Sequence, residues 1–270
     1  EKICQHWVLN PHPTMIPAIE KGWVKSMFAF GGELGMERYT EARSDIFPIG
    51  PDGSLRSNRA FAQIAGLYGI DLFLGATLQM DYLANSSTVT SGRLTGFGGA
   101  PNMGHNTRGR RHATDAWMEM MAHPGKSLVP GKKLVVQMLQ SQGRFGFNFV
   151  PELDAVRIGR EAGLPAPPVM IYGEDVTHIV TEQGVAYLYM AENDAEKTAM
   201  IGAVAQDTPV GEYADKAMLE SLRKKGKVAL PEDMDIDPST ATHDRLAARS
   251  LEELVDWSGG LYDIPERFKK

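Results

Sequence analysis

The chain has 270 residues, 43% hydrophobic and 23% charged, an ordinary globular composition long enough to bury a core without staples. A net charge of −6 and a sequence pI near 5.7 argue against nucleic acid as the main partner. A single cysteine, Cys4, excludes an internal disulfide framework or thiolate zinc cage within this chain and fits a reducing cytoplasm, and no apolar run is long enough to span a membrane.

In chain order, "TMIPAIEKGW" (14–23) predicts a short helix, led in by Pro13-Thr14 and stopped by Gly22. Val24 to Phe30 predicts a strand that the pair Gly31-Gly32 ends. "DIFPIGPDGSL" (45–55) is a loop with an Asp52-Gly53 turn, and Ser57-Asn58 cap a predicted helix through "RAFAQIAGLYG". "IDLFLGA" (70–76) has the glycine-bounded apolar run of a buried parallel strand, and "LQMDYLANSST" (78–88) continues as an extended segment and turn.

The glycine-rich stretch "GRLTGFGGAPNMGHNTRGRR" (92–111) lacks apolar periodicity, which marks a functional loop. Strands follow at "KKLVVQML", "PPVMIYG" and "VTHIVT", and helices at 192–206, at "EYADKAMLESLRKKG" and at "SLEELVDWSGG". Alternation of this kind gives an α/β class, a mainly parallel sheet with helices on both faces. One domain over 1–270 is expected, with a helical tail from about residue 207.

Several chemistries are excluded by spacing. Neither "GGELG" nor "GFGGAP" satisfies G-x-G-x-x-G, because Pro101 stands where the third glycine would fall; no P-loop lysine and no G-x-S-x-G elbow occur. His105, His112 and His123 have no metal-site spacing and no cysteine beside them, so no metal is expected. Asn85-Ser86-Ser87 matches a glycosylation sequon, a pattern common by chance.

Two glycine loops remain, each following a predicted strand. Backbone N–H groups of Gly31 and Gly32, and of Gly98, Gly99 and Ala100, can face an oxygen that becomes negative during acyl transfer. Arg108, Arg110 and Arg111 form the dense cationic cluster of an acidic chain. They read equally as a solvated loop or as recognition of a phosphate-bearing ligand.

The stretch "GLYGIDLFLGATLQMDYLANSS", followed by "GFGGAPNMG", resembles the second half of the class I coenzyme A transferases, and "VTHIVTEQGVAYL" is similar to a later strand and helix of that fold. "FGGAPNMGHNTRGRRHATDAW" and "THDRLAARSLEELVDWSGGLYDIPERF" narrow the resemblance to the family of bacterial malonate decarboxylase alpha subunits. The resemblance spans nearly the whole chain. With Glu1 in place of an initiator methionine, it implies a carboxyl-terminal half that needs its N-terminal half for activity.

The resemblance further implies an acyl-carrier-protein transferase. Acetyl-S-carrier plus malonate gives malonyl-S-carrier plus acetate, and partner decarboxylase subunits act on the malonyl thioester. The carrier's arm is a phosphoribosyl-dephospho-coenzyme A group, which gives the arginine cluster a ligand. Phe30, Gln79, Gly96, Phe97, Pro101 and Asn102 are the remaining positions implied to line the substrate and arm site. A citrate-lyase-type alpha subunit and a non-catalytic half that holds partner subunits are the alternatives. The family's nucleophilic glutamate falls on Phe30, and Glu33 occupies an apolar position, so direct attack by malonate without a covalent acyl-enzyme is expected.

Overall fold

A computed structural model describes residues 5–29, 32–53, 55, 72–90, 93–94, 134–165, 167–168, 171–237, 239 and 248–269. Contacts group the chain into two compact units: residues 1–69 with 239–270, and residues 70–238.

In the first unit, β1 (His6–Val8) pairs in parallel with β2 (Ser26–Phe28). Between them lies a 3₁₀ turn at Pro13–Met15 and the short helix α1 (Ile16–Glu20), with Gly22 at φ +70° ending it as the sequence predicts. The described residues of this unit also form the helix α2 (Glu37–Ala42) and the C-terminal helix Leu251–Trp257, capped by Ser250. Ile16, Ile19, Met27, Tyr39, Phe47 and Leu254 close its core.

One polar group is taken into this core with full compensation. The Tyr39 hydroxyl donates to Glu20 at 2.6 Å, and Arg43 donates to the same carboxylate and to both oxygens of Asp45. Burial and the adjacent Glu20 push the Tyr39 phenol well above its ordinary value, so it stays a donor. The Arg43 hydrogen bond holds Asp45 below the usual carboxylate range.

The second unit is built on β3 (Leu72–Ala76), β4 (Gln79–Asp81), β5 (Ser86–Ser87), β6 (Val89–Thr90), β7 (Arg93–Leu94), β8 (Leu134–Met138), β9 (Gln142–Gly143), β10 (Gly146–Phe147), β11 (Phe149–Val150), β12 (His178–Thr181), β13 (Gly184–Ala186) and β14 (Val228–Ala229). Its five-stranded sheet runs β14-β13-β12-β8-β3. β3, β8 and β12 are parallel, while β12–β13 and β13–β14 are antiparallel. The parallel part agrees with the sequence reading. The antiparallel extension departs from it, because Gly184 turns the chain straight back and β14 then joins from the far end of the unit.

Among its described residues are three helices: α3 (Ala155–Glu161), α4 (Asp194–Ala203) and α5 (Lys216–Lys224), capped by Asp154, Asn193 and Asp215. α4 buries Ala199, Met200, Ile201 and Ala203 in a core with Met80, Phe149 and Ile179. The stretch after residue 207 is therefore not uniformly helical, since α5 leads into β14. β3 is less buried than its apolar run predicts, with Leu74 56% exposed while Phe73 packs against the core.

The "VTEQG" segment binds the sheet together. Glu182 accepts from the backbone N–H of Ser141 at 3.0–3.1 Å and from its hydroxyl; Thr181 Oγ1 donates to Val204 and accepts from Gln183 N–H. A Cβ on Gly184, at φ +149°, would stand 2.3 Å from the Ala229 carbonyl oxygen, so only glycine lets β14 pair there.

Candidate functional site

The predicted glycine turn of the first unit is closed on itself. Gly35 sits at φ +87°, and a Cβ there would lie 2.0 Å from the carbonyl oxygen of Asp263. Its carbonyl accepts from Asp263 N–H at 2.9 Å and its N–H donates to Glu37 at 2.8 Å. Glu33 is exposed; its carbonyl closes the turn by accepting from Met36 N–H, and its carboxylate meets no described hydrogen-bond partner. Glu37, not Glu33, orients this loop. Gly32 is exposed, with nothing within 4 Å of an added Cβ.

In the second unit β4 builds a different kind of place. It pairs with β11 in parallel and β5 antiparallel, and Met80 N–H donates to the Asn148 carbonyl. Asp81 at its end is 2% exposed and accepts from Leu83 N–H, Asn85 N–H, the Asn85 side-chain amide and Leu153 N–H. Burial pushes its carboxyl up, opposed by these four donors. Asn85 in turn accepts from Gly173 N–H at 2.9 Å, so the sequon asparagine is a structural bridge.

Beside this framework opens a cleft of about 460 Å³. Gln79 of β4 and Asn148, one register step before the Phe149–Met80 pair, contribute two neighbouring carboxamides. The Asn148 amide donates to Gln140, while the Gln79 carboxamide has no described partner. Thr90 and Arg93 come from the β6–β7 hairpin, where they pair. The β9–β10 hairpin brings Phe145, 75% exposed, and Phe147. α3 and the residues leading into it add Leu153 and Ile158, packed with Val89, and the exposed Glu152, Arg157 and Glu161.

The charges of the cleft are uneven. Arg93 stacks its guanidinium 5.2 Å from the Phe145 ring centroid and Arg144 stacks 5.7 Å from it; Arg93 forms no ion pair with a described residue. Arg157 donates to the Glu152 carbonyl at 3.2 Å and shares its wall with two carboxylates. Arrangements of this type can hold an anion at one end and an amide-bearing or apolar chain along the carboxamides.

Of the residues predicted from sequence, Gln79 lies in the cleft and Gly32 in the solvent-facing turn. Phe30, Gly31, Gly96, Phe97, Gly98, Gly99, Ala100, Pro101, Asn102, Arg108, Arg110 and Arg111 lie outside the described residues, as do His105, His112 and His123. Among the described residues no cluster of histidine, cysteine and carboxylate could hold a metal. Sequence reasoning missed Arg93, Phe145, Asn148 and Arg157. The one local signal is "QGRFGFNF" (142–149), arginine and aromatics set between glycines, which has no periodicity to draw attention.

Comparison with known proteins gives a consistent result. The family described as "Malonate decarboxylase, alpha subunit, transporter" matches residues 1–270. The chain is 53% identical over 274 residues to the acetyl-S-ACP:malonate ACP transferase of Malonomonas rubra, covering 99% of this chain and 50% of that protein. A chain in a Pseudomonas malonate decarboxylase hetero-tetramer, solved in complex with malonate, is 56% identical, with a TM-score of 0.81 over 100% of this chain and 49% of its own. The malonate decarboxylase alpha subunit of Acinetobacter baumannii is 54% identical, with a TM-score of 0.80 over 98% of this chain and 50% of its own. The chain thus spans about half the length of the relatives it matches.

Proposed function

Because this chain belongs to the malonate decarboxylase alpha subunit family, we propose that it forms the carboxyl-terminal half of an acetyl-S-ACP:malonate ACP transferase. Malonate and the acetyl thioester of an acyl carrier protein are the substrates, and malonyl-S-carrier and acetate the products. Partners in this reading are the carrier, the decarboxylase subunits and the N-terminal half of the same subunit, in a cytoplasmic complex with neither membrane nor nucleic acid. The prosthetic group is the carrier's phosphoribosyl-dephospho-coenzyme A arm. The observation that carries the reading is identity above 50% over essentially the whole chain to a transferase of this name. The same match favours malonate over the citrate-lyase alternative.

The chemistry fits a turn whose Glu33 faces solvent. A malonate carboxylate attacks the thioester carbonyl and expels the carrier thiolate, leaving a mixed acetyl-malonyl anhydride. The thiolate then attacks the malonyl carbonyl and acetate leaves. Both steps pass through oxyanions, for which the Gly98-Gly99-Ala100 backbone is the proposed donor set and Gly31-Gly32 the second. No covalent acyl-enzyme is required, in keeping with a solvent-facing Glu33.

The test supplies the intact subunit with acetyl-S-carrier and either malonate or citrate. Malonyl-S-carrier and acetate should form with malonate alone. In the absence of malonate, hydroxylamine or borohydride trapping followed by peptide mass spectrometry should find no adduct. An acyl group on Glu33 overturns direct attack, and absence of transfer overturns the transferase reading.

A further inference from the structure

The β9–β10 hairpin is built against the usual chemistry of its turn. Gly143 pairs with Gly146, so the loop between them is two residues long, Arg144 and Phe145. Loops of this length favour glycine, asparagine and aspartate. Here Gly146 takes the positive φ, +112°, and the loop itself is given to a long cation and a ring 75% exposed. The base of the hairpin is held firmly. Asn148 N–H donates to the Ser141 carbonyl at 3.0 Å, the Asn148 amide to Gln140, and the Gln142 amide to the Asp207 carbonyl at 2.9 Å. A tip presented on an anchored base has little conformational freedom left to lose on binding.

The β6–β7 hairpin, far earlier in sequence, meets this tip. Arg93 stands 5.2 Å from the Phe145 ring centroid and Arg144 5.7 Å from it, and neither forms an ion pair with a described residue. The carboxylates that share the cleft with Arg93, Glu152 and Glu161, pair with neither guanidinium. Leu94, next to Arg93, and Phe147, two residues past Phe145, are exposed as well. Two unpaired cations and three exposed apolar side chains thus gather on adjoining hairpins of a chain with net charge −6. Arginine and aromatic residues are the types in which interface binding energy concentrates. Permanent interfaces are broad and apolar, whereas unpaired surface charges speed and steer reversible encounters.

We propose that these paired hairpin tips are a docking surface for the protein body of the acyl carrier, which meets Arg93 and Arg144 with carboxylates set around an apolar spot for Phe145. The inference rests on the transferase reading, in which a protein-borne thioester must dock, react and leave in every cycle. Stable assembly with another subunit or a second copy is the competing use of this surface.

Surface plasmon resonance of the intact subunit against carrier protein lacking its prosthetic arm reads the docking by itself. The wild-type subunit should bind, more weakly as salt rises. Arg144→Glu should weaken binding by about tenfold or more at low ionic strength, with the difference narrowing in high salt. Phe145→Ser should weaken it by about tenfold at both salt concentrations, because the loss is of apolar burial. Arg160→Gln, an exposed cation on α3, is the control and should change neither value. All three positions are exposed, so unfolding midpoints should stay at the wild-type value. Failure of the wild-type subunit to bind the armless carrier overturns the proposal, as does wild-type affinity in both Arg144→Glu and Phe145→Ser. Lost assembly with the decarboxylase subunits or altered self-association, seen by light scattering with carrier affinity intact, assigns the tips to a permanent interface and equally overturns it. Transfer is scored separately. Normal transfer with unaffected carrier binding in the variants refutes the docking surface alone, and carrier binding without transfer refutes the reaction alone.

Discussion

The Glu33–Gly35 turn and the Gln79 cleft are both places where a strand delivers polar residues to the surface, and they differ in what is left over. At the turn, the Gly35 carbonyl and N–H are engaged by Asp263 and Glu37, and the carboxylate that draws attention in the sequence points into solvent. At the cleft, the buried Asp81 organises the loops while Gln79, Arg93 and Phe145 are left unsatisfied or exposed. A carboxylate after a glycine pair is thus a weak sign of chemistry. Polar and aromatic groups that the fold positions and then leaves unused are a stronger one.

Breaking the closed turn should have the largest effect. Gly35→Val forces a branched side chain into a left-handed conformation and onto the Asp263 carbonyl. A loss of about 3 kcal/mol, the upper end of ordinary point substitutions, is expected in thermal or urea unfolding. A variant with wild-type stability would show that the turn is not closed in this way.

Next comes the anchor beneath the cleft. Asp81→Ala removes the acceptor of four hydrogen bonds from a site 2% exposed. Orphaned buried donors cost roughly 1–3 kcal/mol, so unfolding should shift by about 2 kcal/mol. An unchanged unfolding midpoint would show that these donors find other partners.

The third effect is pH-dependent and sits away from the cleft. Glu196 is held down to about 2, first by the hydrogen bond from the buried Lys227 ammonium and then by Glu192 N–H. A depressed carboxylate contributes stability that is complete above its unfolded value, 4.5, and is lost as pH falls through about 2. Lys227→Met should therefore lower the melting temperature near neutral pH and show a shallower further loss on acidification over that window. Parallel acid limbs for wild type and variant would exclude the pair as the cause.

The smallest effect sharpens the comparison from the other side. Glu33→Gln should leave transfer rate within about twofold and stability within about 0.5 kcal/mol, as for a surface substitution free of specific contacts. A loss of two orders of magnitude in turnover would return Glu33 to the reaction.

Much of the fold was legible in local chemistry. The helices at 194–203, 216–224 and 251–257 start at Asn193, Asp215 and Ser250, and Gly22, Gly226 and Gly259 follow helix ends at positive φ. Apolar runs located β3, β8 and β12. Capping, periodicity and glycine conformation act over a few residues, so sequence order alone carries them.

What only the tertiary structure decided depends on residues far apart in the chain. That Gly35 must be glycine follows from Asp263, and that Gly184 must be follows from Ala229. The antiparallel end of the sheet appears only when β14 returns to β13. Arg93 and Phe145 acquire meaning from standing 5.2 Å apart across 52 positions of sequence, a stacking contact with no periodic trace in either segment. Burial, likewise, is what separates Asp81 from Glu33: one carboxylate is surrounded by donors in the interior and the other by water, and a sequence states the residue but not its surroundings.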